Sequence, residues 1–215
     1  MKKKSGKIGC GCLFFLLLFF LVFLGIFFHP ISLKFLSKQL VYGDKIYFSD
    51  VAFVPRFVED LDGELYIAAF EELRKGNVKA LWIEDYYVLG ISVTQILKKM
   101  AKDRGLKENL ITGIKLDGKD YEKREALLDH FMKIGIKKVI LFVPEYSSRR
   151  YKALYGNSRE RAPIFLINPV KMRIYNHERW WKENVSRELL FREYSALISI
   201  YLGKLKYQEI LKIKD

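Results

Sequence analysis

The chain has 215 residues, and its 38 lysines and arginines outnumber 25 aspartates and glutamates, giving a formal net charge of +13. Both cysteines, Cys10 and Cys12, lie near the N-terminus, which excludes a disulfide framework in the rest of the chain. No GxGxxG, GxxxxGKS/T or GxSxG motif is present, and the three histidines are scattered. Nothing therefore indicates a nicotinamide, nucleotide or zinc enzyme, and we expect no metal site and assign no cofactor.

The first thirty residues have the pattern of a signal anchor. Residues 1–7 contain four lysines and no acid, and no residue from Ile8 to Phe28 is charged. A helix of this length crosses a hydrocarbon layer about 30 Å thick. A cleaved signal peptide is the alternative, but no clean small-x-small site follows. Because positive flanks stay inside, we predict a cytoplasmic tail (1–7), a transmembrane anchor (8–28) and an extracytoplasmic remainder at the cell inner (plasma) membrane.

The part of the chain beyond the tail is also basic. Removing the four N-terminal lysines from the total leaves a net charge of +9. Such a domain beside a membrane suits anionic headgroups or phosphorylated lipid substrates, although solubility alone explains the charge equally well. Nucleic acid conflicts with translocation. We therefore expect the lipid bilayer and a phosphorylated lipid-linked or other anionic ligand as partners, and no nucleic acid.

An amphipathic helix is predicted over 31–42, within a juxtamembrane segment 29–43. Leucines including Leu33 and Leu36 share one face, whereas Lys34 and Lys38 share the other. We expect this helix to stand the following domain off the bilayer.

Strand-like apolar runs then alternate with helical patterns through residues 44–215. The predicted strands are 45–48, 78–83, 109–116, 138–143 and 163–167, and the predicted helices are 60–75, 92–102, 121–134, 149–155 and 180–202. This alternation indicates βαβ units, and the unbroken apolarity of 138–143 is typical of a strand covered on both faces. We therefore predict one α/β domain with a Rossmann-like, mostly parallel sheet and helices on both faces.

Ligands of open parallel sheets bind beyond the carboxyl ends of the strands, which directs attention to the residues after each predicted strand. The acidic or amide residues at these places are Asp50, Glu84, Asp85, Asp117 and Asn168. We take Glu84, Asp85 and Asp50 as candidate acid/base groups. Asp50 and Asp117 also suit ordinary turns, and the Glu84-Asp85 pair also suits a helix cap or a salt bridge with lysine.

The segment after the fourth predicted strand contains Ser147, Ser148, Arg149 and Arg150. The serines fit the N-cap of the next helix, whereas arginines in a first turn are disfavoured by the helix dipole. A phosphate at the helix N-terminus, clamped by the arginines, would satisfy both features. A structural salt bridge would satisfy the arginines as well. Of the three histidines, His177 is nearest to a plausible site loop, and we interpret it as a surface histidine.

The segment from Lys138 to Arg150 resembles the strand-turn-helix of the SanA/ElyC/YdcF-like family, in which a Thr-Ser-x-aromatic-His-x-x-Arg turn follows the strand. Further similarities are the helix end Ala101–Leu106, the segment Asp120–Leu127, the pair Trp180-Trp181 and the triplet Arg192-Glu193-Tyr194. The resemblance covers about residues 44–205. It implies a Rossmann-like domain behind one membrane anchor, with roles in envelope integrity, peptidoglycan synthesis and lipid-carrier metabolism.

The chain also departs from the pattern of that family. Ser147 stands in place of its histidine, Val143 in place of its threonine, and Glu84-Asp85-Tyr86 in place of its Ser-Gly-Gly. The glycines would let backbone amides approach an anion closely. Their absence, together with that of the histidine, favours altered chemistry or none.

Two functions are therefore expected. One is an envelope-maintenance protein that binds phosphorylated lipid-carrier or glycan precursors, held by Arg149 and Arg150. The other is a non-catalytic binding or scaffold module that kept the fold and lost the site. An open, polar crevice containing Arg150 would favour the first function, and a crevice filled by Tyr86, Tyr87 and Tyr146 would favour the second.

Overall fold

A computed structural model of the chain describes residues 10–156 and 162–212. The predicted cytoplasmic tail, and residues 8 and 9 of the predicted anchor, lie outside the described residues.

Seven helices and seven strands are described. The helices are α1 (Cys10–Phe27), α2 (Pro30–Gln39), α3 (Glu64–Arg74), α4 (Val93–Asp103), α5 (Asp120–Lys133), α6 (Ser148–Tyr155) and α7 (Asn184–Lys212). The strands are β1 (Ser49–Val54), β2 (Val78–Glu84), β3 (Tyr87–Val88), β4 (Ile91–Ser92), β5 (Ile111–Ile114), β6 (Lys138–Pro144) and β7 (Ile164–Val170). Short 3-10 turns occupy Glu108–Leu110, Glu145–Ser147 and Trp180–Lys182.

Five strands form one parallel sheet in the order β5-β2-β1-β6-β7, flanked by helices. The prediction of a Rossmann-like, parallel α/β fold is therefore confirmed. The chain builds outward from β1 through β2 to β5, then returns to place β6 and β7 on the other side of β1. The side on which successive strands are added changes between β1 and β6, although the two strands are parallel. The carboxyl ends of these two strands therefore flank the place where such sheets bind ligands.

Aromatic side chains pack one helical layer onto the sheet. Phe131 of α5 is fully buried, and its ring centroid lies 6.1 Å from that of Phe53 on β1 and 5.6 Å from that of Trp82 on β2. The same ring reaches Phe165 on β7 at 6.5 Å. Phe131 thus contacts strands on both sides of the switch point and holds the two halves of the sheet under one helix.

The predicted strand over 45–48 is wrong, because β1 begins at Ser49. Tyr47 and Phe48 are aromatic but more than half exposed, whereas Val51 to Val54 are buried between β2 and β6. A strand at the centre of the sheet is covered on both faces, which suits the buried residues Val51 to Val54. The exposed aromatic residues Tyr47 and Phe48 lie outside the sheet. Asp50 is consequently at the amino end of β1, not beyond its carboxyl end.

Three other predicted elements differ from the structure. Asn168 lies within β7, opposite Phe142, so it does not follow the strand. The closing helix is divided at Glu183 into a 3-10 turn and α7, which extends to Lys212. The antiparallel β3–β4 hairpin was not predicted.

Helix α2 packs against the domain. The Trp180 indole N–H donates to the carbonyl of Leu33 at 2.7 Å, and the Tyr194 hydroxyl donates to the carbonyl of Leu36 at 2.7 Å. The inner face of α2 is therefore part of the domain, and its role in standing the domain off the bilayer stays a prediction.

By length and apolar composition, no single helix within 10–156 and 162–212 is sufficient to cross a membrane. The bent pair of Leu13–Gly25 and Pro30–Gln39, which meet at 61°, satisfies the same criterion when taken together.

Candidate functional site

Glu84 is the last residue of β2 and lies at the carboxyl edge of the sheet. It is 5% exposed, and its carboxylate accepts the Arg56 backbone N–H at 2.9 Å and the Lys123 ammonium at 2.6 Å. These residues line a cavity of about 30 Å³ together with Asp120, Tyr151 and Tyr155. Glu84 is thus near the switch point as predicted, but both carboxylate oxygens are engaged by partners inside the fold.

Asp85 closes the start of α4. Its carboxylate accepts the Thr94 backbone N–H at 3.0 Å and the Ser92 hydroxyl at 2.8 Å. Burial opposes ionisation, but these hydrogen bonds outweigh it and hold the pKa of Asp85 below its ordinary value. Asp85 therefore acts as a helix cap, and Glu84 forms a salt bridge with a lysine, which are the two alternatives that the sequence left open for this pair.

Arg150, the predicted anion clamp, lies between two carboxylates. Its Nε donates to Glu193 of α7 at 2.6 Å, and its Nη1 donates to Asp120 at the start of α5. Burial opposes the charge, but the contacts with Tyr151 and Glu193 outweigh it and raise the pKa of Arg150 above its ordinary value. Because the guanidinium is 9% exposed and doubly paired, it joins α5, α6 and α7.

Ser148 and Arg149 attach the segment after α2 to the first turn of α6. The Ser148 hydroxyl accepts the Tyr42 backbone N–H at 2.7 Å, and the Arg149 backbone N–H donates to the carbonyl of Leu40 at 3.0 Å. The buried Arg149 Nε has no hydrogen-bond partner among the described residues. Ser147 is fully buried, and its hydroxyl likewise lacks a partner within that part of the chain. Ser147 and Arg149 are thus the predicted anion-binding residues that keep a buried polar atom without a partner among the described residues.

Tyr146 fills the space beyond the carboxyl end of β6. Its side chain is fully buried and packs on Tyr175 with 5.0 Å between ring centroids. Burial raises the pKa of the Tyr146 phenol well above its ordinary value, so the group is neutral at physiological pH. Tyr86 is half-buried beneath Arg56, and Tyr87 is exposed in the hairpin. Of the three tyrosines, only Tyr146 is fully buried, and none of them lines the cavity beside Glu84.

Asp50 is not part of this edge. Its carboxylate accepts from Lys79 at 2.9 Å and from the backbone N–H groups of Lys137 and Lys138 at 3.0 and 3.1 Å. These contacts tie the amino ends of β1, β2 and β6 together. As a candidate acid/base group, Asp50 is on the wrong edge of the sheet, because the strand that positions it begins later than predicted.

A series of polar contacts that the sequence did not reveal lies beside Tyr146. The Ser37 hydroxyl is 2.9 Å from the Tyr175 hydroxyl and 2.6 Å from His177 Nδ1, and His177 Nε2 is 2.9 Å from Glu145 Oε1. His177 is therefore a half-buried link between α2 and the end of β6, not a surface histidine. Ser37 is completely buried, which excludes it as an accessible nucleophile. Ser37 and His177 are 140 positions apart, so no local pattern could have found the contact.

Comparison with known proteins gives no relative. No protein-family model, curated protein or solved structure matches the chain. The resemblance to the SanA/ElyC/YdcF-like family stays a prediction that rests on the residues quoted above. Within 10–156 and 162–212, no group of three or more histidine, cysteine, aspartate or glutamate side chains is arranged to hold a metal ion.

Proposed function

We propose that the protein is a membrane-anchored module of the cell envelope, with an extracytoplasmic α/β domain that works by binding and not by catalysis at the strand ends. Residues 8–28 hold the domain at the outer face of the cytoplasmic membrane. The process it serves is envelope maintenance, as the family resemblance implies.

The surface of α1 supports the anchor. Its side chains from Leu13 to Phe23 are exclusively apolar and between 47% and 72% exposed, so the folded domain leaves them uncovered. The predicted anchor from Ile8 to Phe28 has 21 residues, about the number that a helix needs to cross a hydrocarbon layer. A bilayer covers such a helix on every face. The lysines of residues 1–7 favour a cytoplasmic N-terminus.

The observation that supports binding over catalysis is the occupation of the strand-end groups. Glu84 is paired with Lys123, Asp85 caps α4, and Arg150 lies between Glu193 and Asp120. A general acid or base must be free to exchange a proton with the substrate, whereas Glu84 is engaged by Lys123 and Asp85 by the first turn of α4.

A topology measurement tests the anchor and orientation. Alkaline phosphatase, which is active only outside the cytoplasm, is fused after Asp215, and green fluorescent protein is fused at the same place in a second chain. We expect phosphatase activity and no fluorescence in a bacterial host. A matched control replaces the lysines of residues 1–7 by glutamate, which should lower phosphatase activity because the positive flank sets the orientation. Fluorescence with an inactive phosphatase would contradict the proposal.

A second candidate function is binding of a phosphorylated lipid carrier, and Arg149 favours it. This residue is in the first turn of α6, directly beyond β6, where a helix N-terminus favours an anion. In the described residues its side chain makes no ion pair, in contrast to that of Arg150.

Titration of the full chain in detergent micelles with a short polyprenyl phosphate decides between the two functions. Under the second function, Arg149→Ala weakens binding by about tenfold or more, since a charge-assisted hydrogen bond contributes about 1.5–3 kcal/mol. The matched control is Arg173→Ala, whose side chain is 80% exposed and should matter little. Equal affinity for the phosphate and for the corresponding alcohol would eliminate this candidate and leave the first.

A further inference from the structure

We propose that the β3–β4 hairpin inserts its tip into the surface of an anionic bilayer and gives the domain a second membrane contact. The inference rests on the proposed membrane anchor and adds to it an orientation, with the carboxyl edge of the sheet facing the lipid.

The turn of the hairpin has a strained backbone at Leu89. Val88 pairs with Ile91, and the two residues between them, Leu89 and Gly90, have φ values of +50° and +80°. Two positive φ values define a type I′ turn, whose first position is normally asparagine, aspartate or glycine. Leu89 is the only non-glycine residue with positive φ in the described part of the chain. A leucine there is strained, because its Cβ approaches the backbone.

The same leucine is also unfavourably solvated. Leu89 is 98% exposed, and its neighbours Ile91 and Val88 are 50% and 42% exposed. Exposed apolar tips and strained backbone occur together where a contact outside the domain compensates both.

The layer beneath the tip identifies what that contact is. The Lys115 ammonium lies 5.2 Å from the centre of the exposed Tyr87 ring, and the Arg56 guanidinium lies 4.4 Å from the centre of the Tyr86 ring. Tyrosines and long cationic side chains are the residues that lie at the headgroup level of a bilayer, below an apolar segment that enters the acyl region. Asp85, which precedes the hairpin, keeps its negative charge while it accepts from Ser92 and Thr94, so the charges of Lys115 and Arg56 exceed it by one. The cations complement anionic headgroups.

The hairpin is on the edge of the sheet that the anchor approaches. It follows the carboxyl end of β2, and α2 is fixed by Leu40 to the segment after the carboxyl end of β6. The outward face of α2 adds Ile31 and Phe35, which are 71% and 60% exposed. The apolar surface of α1 thus continues along α2 toward the edge that carries the hairpin.

The test places an environment-sensitive nitrobenzoxadiazole label at three positions of the full chain in a Cys10→Ser/Cys12→Ser background. Leu89→Cys reports the hairpin, Leu18→Cys reports α1, and Ile134→Cys is an exposed apolar control at the amino edge of the sheet. The chain is reconstituted in vesicles of phosphatidylcholine and phosphatidylglycerol containing nitroxide-labelled lipid. We expect blue-shifted emission and several-fold stronger quenching at positions 89 and 18 than at 134.

The outcomes separate the two proposals. Lipid contact at position 18 with water contact at 89 overturns the hairpin inference and leaves the anchor in place. Water contact at position 18 shows that the anchor itself is absent. A blue shift at position 89 that already appears in micelles and grows with the protein-to-detergent ratio assigns the tip to a second copy of the chain, and so overturns the bilayer as its occupant.

Leu89→Gly separates a membrane role from a structural one. Glycine removes the apolar side chain and relieves the left-handed strain. With a label at position 91, this variant should lose quenching by lipid without a lower melting temperature. An unchanged quenching signal would contradict the proposed role of Leu89.

Discussion

Glu193→Gln is expected to lower the free energy of unfolding by about 3 kcal/mol. Glu193 is 1% exposed and accepts from Arg150 Nε at 2.6 Å, so the amide leaves a buried guanidinium without its enclosed partner. Removing one member of a buried pair costs about 3–5 kcal/mol, and the remaining Asp120 places the expected loss at the lower end. Urea unfolding of the full chain in micelles, followed by tryptophan fluorescence, measures the change.

The exposed pair of Arg173 and Asp62 is the matched control. These side chains are 80% and 54% exposed, so Asp62→Asn should change stability by no more than about 1 kcal/mol. The double variant Arg150→Met/Glu193→Leu should recover most of the loss, because it removes both buried charges at once. A Glu193→Gln protein as stable as the native chain would show that this pair does not join α6 to α7 energetically.

Phe131→Ala is expected to lower the free energy of unfolding by about 4 kcal/mol. Replacement of a buried phenylalanine by alanine leaves a cavity and usually costs about 3–5 kcal/mol. Phe131 is fully buried and contacts Phe53, Trp82 and Phe165 on three strands. Trp82 reports the loss directly through its fluorescence. The control is Phe191→Ala on α7, whose side chain is 61% exposed and should contribute less than about 1 kcal/mol. Similar losses for the two variants would contradict the placement of Phe131 in the core.

The alternation of strands and helices could be predicted from local apolar patterns in the sequence. The boundaries of β1 could not. The unbroken apolar run 138–143 becomes a strand buried on both faces, as its composition predicts. Near β1 two adjacent runs compete, because Tyr47-Phe48 and Val51–Val54 both have strand propensity. Only pairing with β2 and β6 decides between them, and that pairing is not encoded in the run itself.

The sequence predicts which residues lie at the carboxyl ends of the strands, and so part of the candidate site. Glu84 follows the rule that the carboxyl ends of parallel strands face the ligand edge. The ion pairs that these side chains form could not be predicted, because their partners are distant in sequence. Glu84 pairs with Lys123, and Arg150 pairs with Glu193, 43 positions away. The hairpin was missed for a different reason, since Leu89-Gly90 is not a usual type I′ sequence.

The position of β1 at the centre of the sheet determines when the domain can fold. β1 pairs with β2 and also with β6, and Val51 is matched to Val139. During synthesis, the β6 side of β1 stays unpaired until that distant segment has emerged, so a run of adjacent apolar residues is exposed in the nascent chain. Such long-range parallel pairing is slow and prone to aggregation. Because β6 begins about two thirds of the way along the chain, the central pairing of β1 is completed only after most of the chain has been made.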